Sequence, residues 1–327
     1  MKLIDFFPIY PETIDDNFQD KIGNKCEFSK YKLEKQEEQS MGQKYNHQVF
    51  LSRFMSGFNT YDELVLYHEM GTGKTTTAIT IAESLIKNKS IKHVYILSRG
   101  ENLMKSFQKE LATIGSNFKY APRNFKEVNG NFYQDNELIT STMFYSRIKK
   151  LYSKYYTFDT YQKFVKDVRN KYTDDLNEKY SNCLFIMDEI HNVRDTSEHS
   201  MSVSDIYNDY KGFFDKINYR KILLLSGTLM VDKPSELSSI MNLLIKDKDK
   251  QLVSGKDFNR YIENIPELGS LIKGRISYIK NMKSDVKINY KGETKLPLTN
   301  TIIYPSIMSP YQTNQYLDRF NTDSKNS

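Results

Sequence analysis

Leu64-Val-Leu-Tyr-His-Glu-Met-Gly-Thr-Gly-Lys-Thr-Thr-Thr77 runs from an apolar stretch through two glycines into an amphipathic segment, Ala78 to Ile86. Strand, glycine loop and helix start, in that order, are the setting that a phosphate-binding loop requires. Gly71 and Gly73 let backbone N–H groups converge on phosphate oxygens, and the helix N-terminus adds a dipole that favours anions. Lys74 would neutralise the β- and γ-phosphates of ATP, and the Thr75 hydroxyl would ligate Mg²⁺. Thr72 and Thr76 complete the candidate nucleotide-binding set. One position departs from G-x-x-x-x-G-K-[ST]: His68 stands where the first glycine belongs. The shorter motif also fits a turn and helix cap in an ordinary α/β domain, so other segments must decide.

Cys183-Leu-Phe-Ile-Met-Asp-Glu-Ile-His191 is an apolar run ending in consecutive carboxylates. A run of this kind suits a parallel strand covered on both faces. Asp188 at its carboxyl end would hold Mg²⁺ through water, and Glu189 could orient the attacking water. Taken alone, the pair also fits a solvated strand end. Lys221-Ile-Leu-Leu-Leu-Ser-Gly-Thr228 is a further apolar strand ending in small hydroxyl residues. By itself it is an ordinary strand and turn.

In this order, each at a strand's carboxyl end, the three segments resemble motifs I, II and III of the first motor domain of superfamily 2 helicases. Ligands of open α/β sheets gather at that end, so the physical reading agrees. The resemblance implies an α/β fold: a P-loop NTPase with a RecA-like parallel sheet, helices on both faces, and a single motor domain with a helical insertion. It assigns catalysis to Lys74, Asp188 and Glu189. It also makes His191, Ser226 and Thr228 elements that couple nucleotide state to nucleic-acid grip. His191 also fits a strand-end histidine satisfied by local backbone.

Flanking segments narrow the resemblance. They are Gln43 to Met55, Met230-Val-Asp-Lys-Pro-Ser-Glu-Leu237, Met241-Asn-Leu-Leu244, Lys273 to Ile279, and Met308-Ser-Pro-Tyr-Gln312. Together they are similar to helicases of large DNA viruses: the poxvirus nucleoside triphosphatase I, the early transcription factor small subunit, and giant-virus relatives. That similarity implies DNA or RNA as partner, and the viral transcription machinery beside it. Gln48 lies where the family reads adenine with a glutamine, whose amide both donates and accepts. It equally fits a polar position on an amphipathic helix around His47 to Phe54. Ser98 and Arg99, after the strand His93 to Ser98, occupy the place of motif Ia. Leu138 to Thr142 and the following helix resemble motif Ib, with Thr140 and Arg147 as candidate backbone contacts, which position a strand without reading it. An arginine or threonine at a strand end is also commonly just solvated.

Along the 327 residues, 1–40 reads as an extension, with a polar stretch from Glu34 to Gln39, and 41–308 as the motor domain. Asn102 to Leu111 places Leu103, Phe107 and Leu111 on one helical face. The insertion is expected near 151–182, where Tyr161, Phe164, Val165 and Val168 recur at helical spacing. It could lie beside the nucleic-acid track or pack its apolar stripe on the sheet. Thr301 to Pro305 reads as a late strand. Residues 309–327 resemble the start of a linker to a second motor domain, as in a truncated product or half of a split gene. In the family that domain supplies arginines worth about 10³–10⁵ in rate.

The net charge of +6 permits nucleic-acid binding, but basic and acidic residues are interspersed, as in Lys246-Asp-Lys-Asp-Lys250. Twenty-four tyrosines and no tryptophan, with abundant lysine and asparagine, point to an AT-rich genome more than to a stacking surface. Hydrophobic residues make up 39%, enough for a core. No apolar run approaches the roughly 20 residues that span a bilayer. The cysteines are Cys26 and Cys183, the second in a buried strand, so an intracellular, reducing compartment is expected. For a viral protein that means the virion or the host cytoplasm.

Overall fold

The computed structural model describes residues 10–13, 15–31, 44–169, 171–193, 201–230, 233–246, 251–253 and 255–280, together with 293–294, 302–303 and 313. Helices α1 (Phe18–Gly23), α2 (Cys26–Ser29) and α3 (Asn46–Phe54) precede strand β1 (Glu63–His68) and α4 (Lys74–Lys87). Then come β2 (His93–Ser98), α5 (Glu101–Glu110), the hairpin strands β3 (Phe125–Val128), β4 (Asn131–Gln134) and β5 (Glu137–Ile139), and α6 (Ser141–Tyr152). Strand β6 (Tyr156–Thr160), α7 (Tyr161–Val168), α8 (Thr173–Tyr180), β7 (Cys183–Asp188), α9 (Met201–Lys216), β8 (Lys221–Ser226) and α10 (Glu236–Leu244) follow. Helices α11 (Asn259–Glu263) and α12 (Ile265–Ile272) lead to β9 (Ile276–Ile279).

Six strands form one parallel sheet in the order β6-β2-β7-β8-β1-β9. β3, β4 and β5 form a separate antiparallel sheet. Successive strand residues point to opposite faces, and both faces are covered, which is why the central strands read as unbroken apolar runs. Leu64, Leu66, Val94, Ile96, Leu184, Ile186, Leu223 and Leu225 pack on one side with α3, α4, α5 and α6. Val65, Tyr95, Leu97, Phe185, Met187, Ile222 and Leu224 pack on the other with α7, α8, α9 and α10. This is the RecA-like P-loop architecture expected from the motifs.

The segment 151–182 differs from a purely helical insertion. Its helices form where the apolar spacing predicts, and Tyr161, Phe164, Val165 and Val168 are all buried on the sheet. Tyr156–Thr160 before them is a strand of the main sheet, paired from Val94↔Tyr156 to Ser98↔Thr160. As an edge strand it alternates apolar and polar residues, so it lacks the continuous run that marks β7. Phe107 on α5 and Leu111 just after it are buried, while Leu103 near the helix start is 42% exposed; a π-helical turn follows at Leu111–Gly115. A Cβ on Gly115 would lie 2.9 Å from the Glu110 carbonyl oxygen as well as against Ile79 of α4, so the turn favours glycine.

Residues 10–31, read as an extension, contribute Phe18, Ile22 and Phe28 to the first core. Glu34 to Gln39 and Asp247 to Lys250 lie outside the described residues, as do 309–327 apart from Thr313. The late strand appears as Ile302–Ile303, antiparallel to Glu293–Thr294, in a separate unit from residue 282 onward.

Phe185 lies at the centre of the second core, stacked on Tyr95 at 5.3 Å and edge-on to Phe213 at 5.4 Å and Phe214 at 5.5 Å. Phe185→Ala is expected to lower unfolding stability by about 3–5 kcal/mol. Thermal melting should record this as a fall of roughly 10 °C for a domain of this size.

Candidate nucleotide site

Strand register aligns the motif residues at one edge. Tyr67 pairs with Ser226 and Asp188 with Leu225, so His68, Asp188 and Ser226 end neighbouring strands together. The loop after β1 turns through Gly71 (φ +80°) and Gly73 (φ +78°), conformations that other residues rarely adopt. Thr72 steadies it, its hydroxyl donating to the Glu69 carbonyl at 2.7 Å. Helix α4 begins at Lys74, and the N–H groups of its first turn, including those of Thr75 and Thr76, lack intrahelical acceptors. The Thr76 hydroxyl is already used, donating to Glu110. Lys74 Nζ donates to the carbonyls of His68 (2.8 Å) and Glu69 (3.4 Å), folded over the loop where a phosphate would sit. Gly227 closes over it: a Cβ there would lie 3.5 Å from Lys74 Nζ.

His68 explains its own departure from the motif. It is the last residue of β1, in strand conformation, so its backbone needs no glycine. Its buried ring accepts or donates at Nε2 to Ser277 Oγ of β9 (2.9 Å) and meets the His47 ring edge-on at 5.8 Å. Burial, then the neighbouring His47 and Lys74, push its pKa down to about 3. An unfolded histidine titrates near 6.5. Between pH 6.5 and 3 the unfolded chain therefore binds the extra proton, and stability is lost as pH falls through that window. From pH 7.5 to 5 the contribution is about 2 kcal/mol. Urea unfolding at the two pH values should show His68→Asn losing less stability than the parent by about that amount.

Gln48 is buried on α3 against the loop. Its Nε2 would stand 2.8 Å from a Cβ on Gly73, and its Oε1 accepts from the Tyr45 backbone N–H at 3.0 Å. It thus serves its own helix start and touches the loop as well.

Asp188 is held from behind by Tyr161, whose buried hydroxyl donates to the Asp188 carbonyl at 2.6 Å. Burial and then the adjacent Glu189 push its carboxyl up to about 6; Lys74 pulls the other way, and Glu110 adds to the rise. Glu189 sits at φ +56°, a left-handed conformation that costs about 1–2 kcal/mol in a residue with a Cβ. Its Oε2 lies 3.2 Å from His191 Nδ1, and His191 Nδ1 lies 3.0 Å from Ser226 Oγ. Ser226 donates to the Thr228 carbonyl and accepts from the Thr228 N–H at 3.1 Å. Motifs II and III are therefore one hydrogen-bonded unit.

Arg99 joins this unit, its Nη1 donating to Asn192 Oδ1 at 2.9 Å. Thr140 and Arg147 do not. The Thr140 hydroxyl caps α6, accepting from the Met143 N–H at 3.2 Å, and the Arg147 guanidinium donates to Gln134. Sequence reasoning missed Asn192, Glu110 and Tyr161. Asn192 directly follows Asp-Glu-Ile-His, whereas nothing in sequence spacing links Glu110 to Thr76 or Tyr161 to Asp188.

Residues 23–231 match the family model described as ResIII, Type III restriction enzyme, res subunit. The chain belongs to this family. This ResIII member is 30% identical over 96% of its length to an Invertebrate iridescent virus 3 protein named as a helicase, covering 31% of that protein. It is 28% identical over 84% of its length to an Acanthamoeba polyphaga mimivirus protein named as an ATP-dependent RNA helicase, covering 45% of it. Against the early transcription factor 70 kDa subunit of Myxoma virus the figures are 27%, 78% and 35%. The chain thus spans less than half the length of these curated relatives. The viral helicase and early-transcription-factor resemblance of the motifs is borne out. Among the described residues no helix is long and apolar enough to cross a membrane.

Proposed function

We propose that this ResIII chain is the ATP-binding motor domain of a nucleic-acid-dependent ATPase, a viral-type superfamily 2 helicase or translocase. The observation that carries the proposal is the meeting of Lys74, Asp188-Glu189 and Ser226-Gly227 at one edge of the sheet. Backbone N–H groups from Gly71 to Thr76 cradle the phosphates, and Lys74 leaves its two carbonyls for the β/γ-phosphate oxygens. Gln48, against the loop, is the candidate for the base.

Thr75 and Asp188 would hold Mg²⁺. The residues fit such an ion: half-buried Asp188 stands beside Glu189, two carboxylates at one strand end, and burial first, then the Glu189 charge, holds the Asp188 pKa up. A cation that keeps waters and phosphates as ligands needs only one or two protein groups. When bound, it supplies charge neutralisation across the phosphates. Glu189, oriented by His191, aligns water for in-line attack on the γ-phosphate. The buried Asp188 carbonyl contact with Tyr161 fixes the strand end on which both carboxylates sit.

Arg99 is the candidate contact to a DNA or RNA backbone; Thr140 and Arg147, engaged by Met143 and Gln134, would have to exchange those partners to join it. A second motor domain, in cis or in trans, completes the cleft. The similarity to early transcription factor subunits supports the viral transcription machinery as a neighbour. Cys26 and Cys183 both carry free thiols, which supports an intracellular, reducing compartment, or the virion and host cytoplasm for a viral protein. ATP hydrolysis by a form with a second motor domain, measured with and without single-stranded DNA and RNA, tests the proposal. Turnover should rise with at least one strand type; no hydrolysis under any condition would contradict it.

A further inference from the structure

Asn192 has a hydrogen-bond pattern that admits only one orientation. Its Oδ1 accepts from Arg99 Nη1 (2.9 Å), so its Nδ2 must face the other way, donating to the Glu189 carbonyl (2.9 Å). The same Nδ2 lies 3.3 Å from His191 Nε2. The Asn192 backbone N–H also donates to the Glu189 carbonyl, at 3.0 Å. Side chain and backbone of one residue thus clamp the carbonyl of the left-handed Glu189.

The pattern also fixes the histidine. Because Asn192 Nδ2 can only donate, His191 Nε2 accepts, and the ring proton resides on Nδ1, where it faces Ser226 Oγ and Glu189 Oε2. Ser226 can accept it because its own hydroxyl proton is committed to the Thr228 carbonyl. A continuous, directional chain runs from Arg99 on β2's carboxyl end, through Asn192 and His191, to Glu189 and Ser226.

We infer that Asn192 is a positioning residue that transmits occupancy of Arg99 by a nucleic-acid phosphate to the geometry of Glu189. The inference rests on the ATPase proposal above. A phosphate competes for the exposed Arg99 guanidinium and withdraws it from Asn192 Oδ1. Asn192 then loses the partner that fixes its amide, which frees the clamped Glu189 carbonyl. This lets the Glu189–His191 pair shift into line with the γ-phosphate, in keeping with turnover that rises on strand binding. Nucleic acid and nucleotide become coupled through one side chain, and the coupling is reciprocal by linkage.

Affinity of this chain for a fluorescent ATP analogue, with and without a saturating single-stranded oligonucleotide, provides the test. The parent should show a change of about 5-fold or more on adding the strand. Asn192→Ala should bring the ratio to within about 2-fold of unity. Asn192→Asp is the sharper variant, because it keeps an acceptor for Arg99 but has no donor for Glu189 or His191; it should be equally uncoupled. Melting curves of both variants show which of them retain the fold, and either suffices for the test. Parental coupling in a folded variant overturns the inference. A parent that binds the nucleotide but ignores the oligonucleotide overturns it while leaving the nucleotide site standing. A parent that binds no nucleotide overturns both.

Discussion

Lys74→Ala, placed in a form that carries a second motor domain, is expected to lower ATP turnover by a factor of about 10²–10³ or more. The ammonium group already lies over the loop, spending its protons on the His68 and Glu69 carbonyls at 2.8 and 3.4 Å. Those are neutral acceptors beside the N-terminus of α4, where first-turn N–H groups favour anions. Exchanging them for phosphate oxygens replaces charge–dipole contacts with charge–charge hydrogen bonds, each worth about 1.5–3 kcal/mol. The gain grows as charge moves onto the bridging and terminal oxygens, so kcat should fall as well as affinity. Steady-state kinetics with varied ATP separates the two: a change confined to KM would assign Lys74 to uniform binding alone.

Glu189→Gln should do the opposite to the balance. The amide is the same size, can still accept from His191 Nδ1, and does not disturb the left-handed backbone that presents it. Nucleotide affinity is therefore expected to stay within a few-fold of the parent. Turnover should fall by about 10²–10⁴, the range set by loss of a positioned base. Pre-steady-state binding and single-turnover hydrolysis of the same variant check both halves. Tight binding with parental hydrolysis would remove Glu189 from the chemistry and leave it a partner of His191 alone.

The legible parts of this chain are those whose physics is local. The passage from Leu64 to Thr77 shows strand, loop and helix because apolar spacing changes across two glycines, and the structure has β1, left-handed Gly71 and Gly73, and α4 there. β7 and β8 were legible because both faces of a central parallel strand must be apolar. β6 was not, since an edge strand needs only one apolar face, and Tyr-Thr-Phe-Asp-Thr carries no more than that. Leu103 shares the helical spacing of Phe107 but stays 42% exposed near the start of α5, which spacing alone does not show.

The site divides the same way. Lys74, Asp188 and Glu189 sit in short motifs at strand ends and could be named from spacing. The oddity at His68 resolves only in three dimensions, where Ser277, 209 residues further on, meets its ring. Asn192 is silent in sequence because its partner Arg99 lies 93 residues away. Thr140 and Arg147 were marked by position in a motif, and both prove to be engaged within the α6 and hairpin region.

On the proposed function, the edge formed by Lys74, Thr75 and Asp188-Glu189 binds a nucleoside triphosphate with Mg²⁺. Calorimetric titration of this chain with ATP in the presence of Mg²⁺, beside the Lys74→Ala variant, tests it most directly. The expected result is saturable one-to-one binding by the parent, weakened at least about 10-fold in the variant, the equivalent of about 1.4 kcal/mol. Equal affinity in the two proteins, or no heat of binding in the parent at millimolar ATP, would contradict it.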